Sequence, residues 1–468
     1  MRLRWGRSLS LLFLVSTLHA APDILFIVTD DQRPDTLHAL GHETIRTPNL
    51  DRLAAQGTAF TRAYAGYPIC HVSRAEMLTG CTSFRACQQY PSGVINPALK
   101  TMAQTFREAG YHTWYSGKWH NDGHPKQRGY TGTRGLYTSG GAKGLPEPTV
   151  DERGHPRTGY RGWTFKDADG KPELDKGVGL DPDNSRHIAE GAIQAIHDTP
   201  SGESMFLHVN FAFPHDPRQW PTDETHRYDP AKLNLPRNFA PVHPFDHGNL
   251  QGRDELLLPT PREAEAVKRE LAIYYAMISD VDAQIGRIIS ALDEAGRKDL
   301  IVIFTSDQGL ALGSHGLLGK QNQYEHSVRS PLLISGPGLP EGQRSEALVA
   351  LRDLFPTLCE LTSIPIPATV QGLSLVPLLK KEVSQVHDFV TGAFTDTQRM
   401  ICDGRWKFIG YPQAKRKQLF DLDADPDEMH DLSEQSEHLE RITSLEKTLQ
   451  NWLREQGDPL LVSPGAKR

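Results

Sequence analysis

Apolar and polar positions along the chain follow two alternating patterns. Short runs of consecutive apolar and β-branched residues, such as residues 23–29, are typical of strands buried on both faces of a sheet. Stretches with apolar residues three and four positions apart are typical of helices. The predicted strands are residues 23–29, 111–116, 205–210 and 300–305, and the predicted helices are residues 47–57, 102–109, 185–197 and 262–295.

This alternation of helices with short apolar strands predicts an α/β fold with a largely parallel sheet covered on both faces. Residues 121–182 and 214–260 are rich in Gly, Pro and Asp and lack periodicity, so we expect them to form functional loops or lids. Their aromatic residues, which include Trp163, Trp220 and Tyr228, are predicted to shape a substrate pocket.

From about residue 386 the pattern changes to short strands, an acidic turn and a polar amphipathic helix. The predicted strands are residues 388–394 and 400–411, the turn is residues 421–427, and the helix is residues 437–456. This pattern predicts a small α+β subdomain that packs against the larger domain formed by the preceding residues. We therefore divide the chain into a main domain, residues 21–385, and a C-terminal subdomain, residues 386–468, whose last residues we expect to be frayed.

The first twenty residues have the pattern of a secretory signal peptide. Three arginines precede the apolar run of residues 9–15, and Ala20 follows at a plausible cleavage point. The run is much shorter than the roughly 20 residues that span a bilayer. We expect residues 1–20 to be removed and the remaining chain to be periplasmic or secreted, with no membrane attachment.

Composition narrows the class of protein. The 51 Lys and Arg against 58 Asp and Glu give a net charge of −7 without a basic run, which argues against nucleic acid as a partner. The hydrophobic content of 38% and charged content of 23% exclude a coiled coil, a collagen-like chain and a disordered chain. Five cysteines are too few for a disulfide scaffold. The four other than Cys70 allow zero, one or two disulfides.

Two acidic pairs follow predicted strands almost 280 residues apart. Asp30-Asp31 ends the first strand, and Asp307-Gln308 ends the strand near residue 300. A single Asp after a strand is usually a turn residue. Two such pairs are different, because the carboxyl ends of strands in a doubly wound sheet meet at one crevice. Three carboxylates and an amide oxygen there predict a hard oxygen site for Ca²⁺ or Mg²⁺.

Other candidate residues follow strands or begin a helix. Cys70 is predicted at a helix N-terminus, where free backbone N–H groups favour an anion. Alone, such a cysteine is most often a small buried apolar residue. The basic candidates stand in turn-like contexts and comprise Lys118, His120, His215 and Lys320. A crevice that combines a hard cation, cationic donors and a helix N-terminus is suited to sulfate or phosphate.

Together these segments resemble the sulfatase family, within the wider alkaline-phosphatase-like superfamily, over nearly the whole chain after residue 22. The residues 70–80 resemble the signature Cys-x-Pro-Ser-Arg-x-x-x-Leu-Thr-Gly, with Val72 in the place of Pro. The other matching segments are residues 47–51, 117–120, 214–215, 306–309, 316–320 and 324–331. Found together in this order, these matching segments are specific for the sulfatase family. The resemblance implies a large mixed, mostly parallel sheet sandwiched by helices.

The resemblance also implies a role for each candidate residue. Cys70 would be oxidised by a formylglycine-generating enzyme to formylglycine, whose hydrate is the nucleophile, and Arg74 would orient that hydrate. Asp30, Asp31, Asp307 and Gln308 would hold one Ca²⁺ together with the oxygen of residue 70. Lys118, His215 and Lys320 would contact the sulfate, and His120 would remove the second proton of the hydrate. His315 is a candidate substrate-binding residue, with a loop-capping role equally open.

This set of residues predicts hydrolysis of a sulfate monoester, with a sulfated carbohydrate as the expected substrate. Negative oxygens shield the sulfur, so cationic groups must neutralise charge before the hydrate attacks. The alcohol leaves with a proton from an acid such as His215. The covalent sulfate is then expelled as the aldehyde forms again, which an unmodified cysteine or serine could not do.

Two alternatives remain open at this stage. One is a phosphoester hydrolase of the same superfamily. The other is a non-catalytic protein that binds sulfated glycans, which would follow if Val72 prevented the modification of Cys70.

Overall fold

The computed structural model describes residues 21–140, 149–150, 154 and 157–461. The predicted signal peptide and the last seven residues lie outside this part of the chain. The β-strands are β1 Asp23–Thr29, β2 Thr58–Tyr64, β3 His112–Trp119, β4 Gly132–Thr138, β5 Thr164–Lys166, β6 Met205–Asn210, β7 Leu300–Ser306, β8 Arg329–Ser335, β9 Gln343–Ser345, β10 Val349–Ala350, β11 Val390–Phe394, β12 Gln398–Cys402, β13 Trp406–Tyr411 and β14 Arg416–Asp421. The α-helices are α1 Pro48–Ala55, α2 Cys70–Thr79, α3 Ser83–Ala86, α4 Met102–Glu108, α5 Asn184–Asp198, α6 Ala264–Glu294, α7 Glu325–Val328, α8 Leu354–Leu361, α9 Val376–Leu379 and α10 Leu439–Gln456.

Ten strands form one large sheet in the order β10-β2-β8-β7-β1-β6-β3-β4-β5, with β9 paired to β2. The central strands β7, β1, β6, β3 and β4 run parallel to one another. β8 is antiparallel to both β2 and β7, and β5 is antiparallel to β4. The predicted mixed, mostly parallel sheet is confirmed.

The sheet is buried on both faces, as the unbroken apolar runs of its strands require. On β1, Ile24 and Phe26 pack in one apolar cluster, which includes helices α2, α4 and α8. Leu25 and Ile27 point the other way, into a cluster with α1, α5 and α6. Successive side chains of a strand point to opposite faces of the sheet, which explains why β1 contributes to both apolar clusters.

The C-terminal subdomain is a four-stranded antiparallel sheet, β11 to β14, with α10 packed against it. The prediction of a single strand at residues 400–411 is wrong, because residues 403–405 form a turn between β12 and β13. Gly404 has φ of +101°, which explains the glycine at this turn. Apolar residues of β12, β13 and α10 belong to the same cluster as α2 and α8, so the two sheets share a core.

The long aperiodic stretches contain more structure than the pattern indicates. Strands β4 and β5 lie within residues 121–182 and extend one edge of the large sheet. All five cysteines are described, and each is buried and free of a disulfide. Among the described residues, every helix is either too short or too polar to span a lipid bilayer.

Candidate functional site

The two acidic pairs lie side by side because β1 and β7 are adjacent parallel strands. Thr29 pairs with Ser306 at the last position of their register, so Asp30-Asp31 and Asp307-Gln308 follow at the same edge of the sheet. The backbone N–H of Asp31 donates to Oδ1 of Asp307 at 3.1 Å. Asp31 has φ of +69°, an uncommon backbone conformation for a residue with a side chain.

Helix α2 brings Cys70 to this edge. Cys70 is the first helical residue, and its Sγ lies 3.3 Å from both Nε2 of Gln308 and Nζ of Lys320. Sγ is 3.8 Å from Oδ1 of Asp31. The helix is fixed to β7 because Oγ of Ser73 donates to the backbone carbonyl of Asp307 at 2.6 Å. The sequence prediction placed Cys70 at a helix N-terminus, and the structure places it there.

Arg74 extends from the same helix under the acidic pairs. Its Nε donates to Oδ2 of Asp307 at 2.9 Å, and its Nη1 donates to Oδ1 of Asn210 at 2.5 Å. Its Nη2 lies 3.8 Å from Oδ1 of Asp30. Arg74 therefore links the ends of β1, β6 and β7 below residue 70.

Two buried lysines complete the catalytic cluster, and both are almost inaccessible to solvent. The other members of the cluster are Asp30, Asp31, Cys70, Arg74, Asp307 and Gln308. Lys118 follows Gly117 on β3, and its Nζ is 2.5 Å from Oδ2 of Asp30. Nζ of Lys320 is 2.9 Å and 2.6 Å from the two carboxylate oxygens of Asp31. The three segments that carry Asp30, Lys118 and Lys320 are distant in sequence, and the fold brings them together.

The cluster has the donors that a divalent cation requires. One ligand atom from each of Asp30, Asp31, Cys70 and Asp307 lies within 4.8 Å of the others. Oδ1 of Asp30 and Oε1 of Gln308 are buried without a hydrogen-bond partner. Rotating the Gln308 amide by half a turn would point its oxygen at Asp31 and residue 70. Buried carboxylate and amide oxygens fit Ca²⁺ or Mg²⁺.

Crowding of these carboxylates is visible in their pKa values. Burial and the neighbouring charges of Asp30 and Asp307 raise the pKa of Asp31 to about 7, despite Lys320. Burial and Asp30 likewise raise the pKa of Asp307 to about 6, although Arg74 opposes the shift. Burial alone would raise the pKa of Asp30, but Lys118 and the other nearby cations hold it well below its usual range. A divalent cation would relieve this mutual repulsion.

The thiol of Cys70 is not an activated nucleophile. Burial and the charge of Asp30 raise the pKa of Cys70 well above its ordinary value, despite both lysines. Because the thiolate is the reactive form of cysteine, an unmodified Cys70 would react poorly.

Of the two predicted histidines, His215 contacts the cluster directly, whereas the described contacts of His120 are with neighbouring rings. Nε2 of His215 is 3.7 Å from Oδ2 of Asp31, and burial together with Lys320 lowers its pKa to about 4. The ring of His120 contacts His71 and Trp163, with centroids 5.3 Å away in each case. Burial and the charge of Lys118 hold the pKa of His120 well below its usual range, which keeps the imidazole neutral and able to accept a proton.

His315 is not brought to this cluster by any described contact. Its ring stacks on Tyr324 with centroids 4.1 Å apart, and its Nε2 lies 3.1 Å from Nδ2 of Asn238. Its φ of +54° and its backbone contacts place it in a turn. These contacts favour the structural role that the sequence left open.

Several residues that contact the cluster were missed from the sequence. Asn210 ends β6 opposite Val28 of β1 and accepts from Arg74, so the strand-end rule could have found it. Tyr160 donates through its hydroxyl to Oδ2 of Asp30 and lies in an aperiodic loop that gave no signal. Asp216, from the second aperiodic stretch, contacts His215 and is itself held by Arg253. Of the predicted pocket aromatics, Trp163 reaches His120, whereas the hydroxyl of Tyr228 contacts Arg46 and Ser279.

Comparisons with known proteins agree with this arrangement. The family model described as Sulfatase matches residues 22–364, and the model described as N-sulphoglucosamine sulphohydrolase, C-terminal, matches residues 313–456. An arylsulfatase of Clostridium perfringens is 31% identical over 93% of this chain and 95% of that protein. Arylsulfatase K of Gallus gallus is 28% identical over 92% of this chain and 82% of that protein.

Solved structures share the fold over almost the whole chain. One, in complex with its substrate D-glucosamine-2-N,6-O-disulfate, has a TM-score of 0.75 at 22% identity and covers 94% of this chain and 99% of that one. A phosphonate monoester hydrolase from Silicibacter pomeroyi has a TM-score of 0.73 at 23% identity, with 93% and 96% covered. At this level of identity the likeness concerns the fold.

Proposed function

The chain belongs to the sulfatase family and is a sulfuric ester hydrolase, and from that premise we propose that it cleaves a sulfate monoester of a carbohydrate through formylglycine made from Cys70 beside one Ca²⁺. The observation that carries the proposal is the position of Cys70. Its Sγ, which stands in for the oxygen of a formylglycine hydrate, contacts Gln308 and Lys320 next to Asp31.

The residues that would hold Ca²⁺ are Asp30, Asp31, Asp307, Gln308 and residue 70. The orphaned oxygens of Asp30 and Gln308 support this assignment, because buried polar atoms rarely lack a partner in a folded protein. When bound, Ca²⁺ supplies positive charge that polarises the oxygens of the nucleophile and the sulfate. The donor set also accommodates Mg²⁺, and the choice of Ca²⁺ follows the family.

Formylglycine supplies a hydrate with two hydroxyls, one to attack sulfur and one to release the sulfate afterwards. Arg74 is held by Asp307 and Asn210 beneath residue 70, where its charge orients that hydrate. Lys118 and Lys320 carry two buried positive charges to the same place, and these offset the charge of sulfate oxygens.

The histidines are suited to move the two protons. His215, next to Asp31, would donate a proton to the leaving oxygen in its doubly protonated form. Burial and Lys320 lower the pKa of the ring and disfavour that form, whereas Asp216 beside Nδ1 stabilises it and the charge of a bound sulfate would offset Lys320. His120 is held neutral by burial and by Lys118, so it can remove the second proton of the hydrate. Lys118, His215 and Lys320 are the residues proposed to bind the sulfate.

A carbohydrate is proposed as the alcohol part of the substrate. Trp163 and Tyr160 form an aromatic wall beside His120 and His215, with ring centroids 4.9 Å apart. Aromatic faces of this kind pack well against sugar rings. One structure with the same fold binds a disulfated glucosamine. Formylglycine-generating enzyme is proposed as the maturation partner, and the predicted signal peptide supports a mature protein in the periplasm or outside the cell.

The test is to express the chain with and without a formylglycine-generating enzyme and to analyse the peptide that contains Cys70 by mass spectrometry. We expect an aldehyde at position 70 in the first sample and hydrolysis of 4-nitrophenyl sulfate that requires Ca²⁺. Cys70→Ala is the matched control and should abolish turnover without loss of fold. A free thiol in an active protein would contradict the proposal.

The same samples separate the alternatives. A phosphoester hydrolase would cleave 4-nitrophenyl phosphate faster than the sulfate ester, with Zn²⁺ as the better metal. A non-catalytic binder would retain its thiol in the presence of the maturation enzyme and bind sulfated glycans without turnover. A screen of sulfated mono- and disaccharides would then identify the sugar and the position of the sulfate.

A further inference from the structure

The two ring nitrogens of His215 face different partners. Nε2 faces the catalytic cluster, 3.7 Å from Oδ2 of Asp31. Nδ1 lies 3.1 Å from Oδ1 of Asp216 and 2.6 Å from the backbone carbonyl of the same residue. Two acceptors around one nitrogen require that nitrogen to carry the proton. The cluster therefore meets His215 through Nε2 alone.

Asp216 is itself held in place by a guanidinium. Nη1 of Arg253 donates to Oδ2 of Asp216 at 2.7 Å, and Nη2 donates to Oδ1 at 2.9 Å. This is the paired geometry that fixes a carboxylate in orientation as well as in position. Asp216 is 3% exposed, and Gly159 approaches so closely that a Cβ there would lie 2.3 Å from the Asp216 carbonyl oxygen.

The ring of His215 is also restrained from its face. Tyr160 packs edge-on against it with centroids 4.7 Å apart, while the hydroxyl of Tyr160 donates to Asp30. The ring is thus limited in rotation by Tyr160 and in tautomer by Asp216. Asp216 and Arg253 make no described contact with Cys70, so any effect that they have on the reaction must pass through a neighbour.

We infer that Asp216 and Arg253 are positioning residues that keep a proton on Nδ1 of His215 and turn Nε2 to the reacting ester, so that Nε2 carries the second proton of the imidazolium and gives it up to the leaving oxygen. The inference rests on the proposed function, in which His215 donates a proton to the leaving oxygen through Nε2. An orienting carboxylate behind a histidine fixes both the tautomer and the direction of the ring. Arg253 fixes that carboxylate in turn.

A second cation is the competing use of these residues. Single ligand atoms of Asp31, His215 and Asp216 also lie within 4.8 Å of one another. Both carboxylate oxygens of Asp216 are, however, engaged by Arg253, and a guanidinium is a poor neighbour for a cation. The contacts therefore favour positioning over metal binding.

The test is a double-mutant cycle on the matured enzyme with phenyl sulfate and 4-nitrophenyl sulfate. Asp216→Ala should lower kcat for phenyl sulfate by about 100-fold, the contribution typical of general acid catalysis. The loss should be smaller for 4-nitrophenyl sulfate, because nitrophenolate leaves readily without a proton. In a His215→Ala background, Asp216→Ala should cause no further loss on either substrate. Asp216→Asn keeps an oxygen for Nδ1 and should restore part of the activity.

Asp458→Ala is the matched control. Asp458 forms a buried two-point pair with Arg399, at 2.6 Å and 2.9 Å, and neither residue contacts the cluster in the part of the chain described. This variant should lower the melting temperature and leave the ratio of kcat for the two esters unchanged. Equal losses on both esters, or additive losses in the cycle, would overturn the inference.

Two further outcomes are decisive. A fall in bound metal from two equivalents to one in Asp216→Ala would assign the residues to a second cation and overturn the positioning role. Wild-type enzyme that carries the aldehyde but cleaves neither ester would refute the proposed function, and the inference with it. Additive losses in an active enzyme would refute the inference alone.

Discussion

The backbone N–H of Asp31 donates to the carboxylate of Asp307 at 3.1 Å, although 276 positions separate the two residues in sequence. This hydrogen bond exists because β1 and β7 are parallel neighbours that end at the same edge of the sheet. It fixes the carboxylate of Asp307 against the turn that carries Asp30 and Asp31. The proposed cation site is therefore a product of strand pairing in the centre of the fold.

Asp30→Asn is expected to abolish cation binding. It replaces the buried carboxylate whose Oδ1 lacks a partner with a neutral amide of the same size. Ca²⁺ at about 100 times its dissociation constant should stabilise the wild type by about 2.7 kcal/mol, and the variant should lose this gain. The measurement is thermal unfolding with and without Ca²⁺, together with metal analysis. Unchanged Ca²⁺ content and unchanged ester cleavage would refute the assignment of this site.

Lys320→Met is expected to lower kcat/KM by about 100- to 1,000-fold, because it removes a buried charge that is proposed to face the sulfate. Without Ca²⁺ it should also destabilise the fold by about 3–5 kcal/mol, since Asp31 loses its partner. Added Ca²⁺ should recover much of that stability by pairing with Asp31. Activity and urea unfolding, each with and without Ca²⁺, give the measurement.

Lys407→Met is the matched control for this prediction. Lys407 is fully buried and pairs with Glu325 and Glu428 at 2.8 Å each. Its loss should cost a similar free energy of unfolding, but Ca²⁺ should not restore it. A recovery by Ca²⁺ of equal size in both variants would show that Ca²⁺ does not act at Asp31.

Gly117→Ala is expected to destabilise the protein by about 3 kcal/mol. Gly117 has φ of +94°, and a Cβ there would lie 2.0 Å from the carbonyl oxygen of Asn210 on β6. Gly110→Ala separates the cost of the positive φ from the cost of the steric clash, because Gly110 has φ of +93° and open space around it. This control should cost only about 1 kcal/mol. Equal values of the free energy of unfolding for both variants would show that the close approach of β3 to β6 is not required.

Glu76→Gln is expected to alter the pH dependence of stability. Burial raises the pKa of Glu76 from 4.5 to about 7, although Arg352 acts in the opposite direction. Folded protein therefore keeps a proton that the unfolded chain loses above pH 4.5. This contribution is complete below pH 4.5 and is lost as the pH rises through about 7, a change of about 3 kcal/mol.

The glutamine variant cannot release that proton. Relative to the wild type, it should gain up to about 3 kcal/mol between pH 5 and pH 8. Urea unfolding of both proteins across this range is the measurement, and the difference between them cancels the titration of all other groups. A difference that stays constant with pH would show that Glu76 titrates normally.

The central strands and the long helices could be predicted because their patterns are strong. The predicted strand at residues 23–29 has the bounds of β1, and the long helix α6 differs from its prediction by only a few residues. Strands β4 and β5 could not be predicted, because β4 contains two glycines among polar residues and β5 has only three residues, so neither forms an apolar run. The turn at Asp403-Gly404 could have been recognised as a hairpin signal.

The site residues divide in the same way into those with a sequence pattern and those without one. Asp30, Asp31, Asp307 and Gln308 were accessible to prediction because strand ends in a parallel sheet converge. Tyr160, Asp216 and Arg253 come from stretches without periodicity, where only tertiary contacts decide which side chain turns inward. For such residues the sequence carries no local pattern from which their position can be inferred.

The buried pairing of Lys407 with Glu325 has a consequence for the resistance of the enzyme to proteases. Glu325 begins α7, five positions after Lys320. Lys407 pairs with Glu325 and also with Glu428. A protease that trims the carboxyl-terminal sheet would remove Lys407, leave buried Glu325 with Arg329 as its remaining cationic partner, and so loosen the segment that presents Lys320. Such damage would inactivate the molecule although every reacting group remained chemically intact.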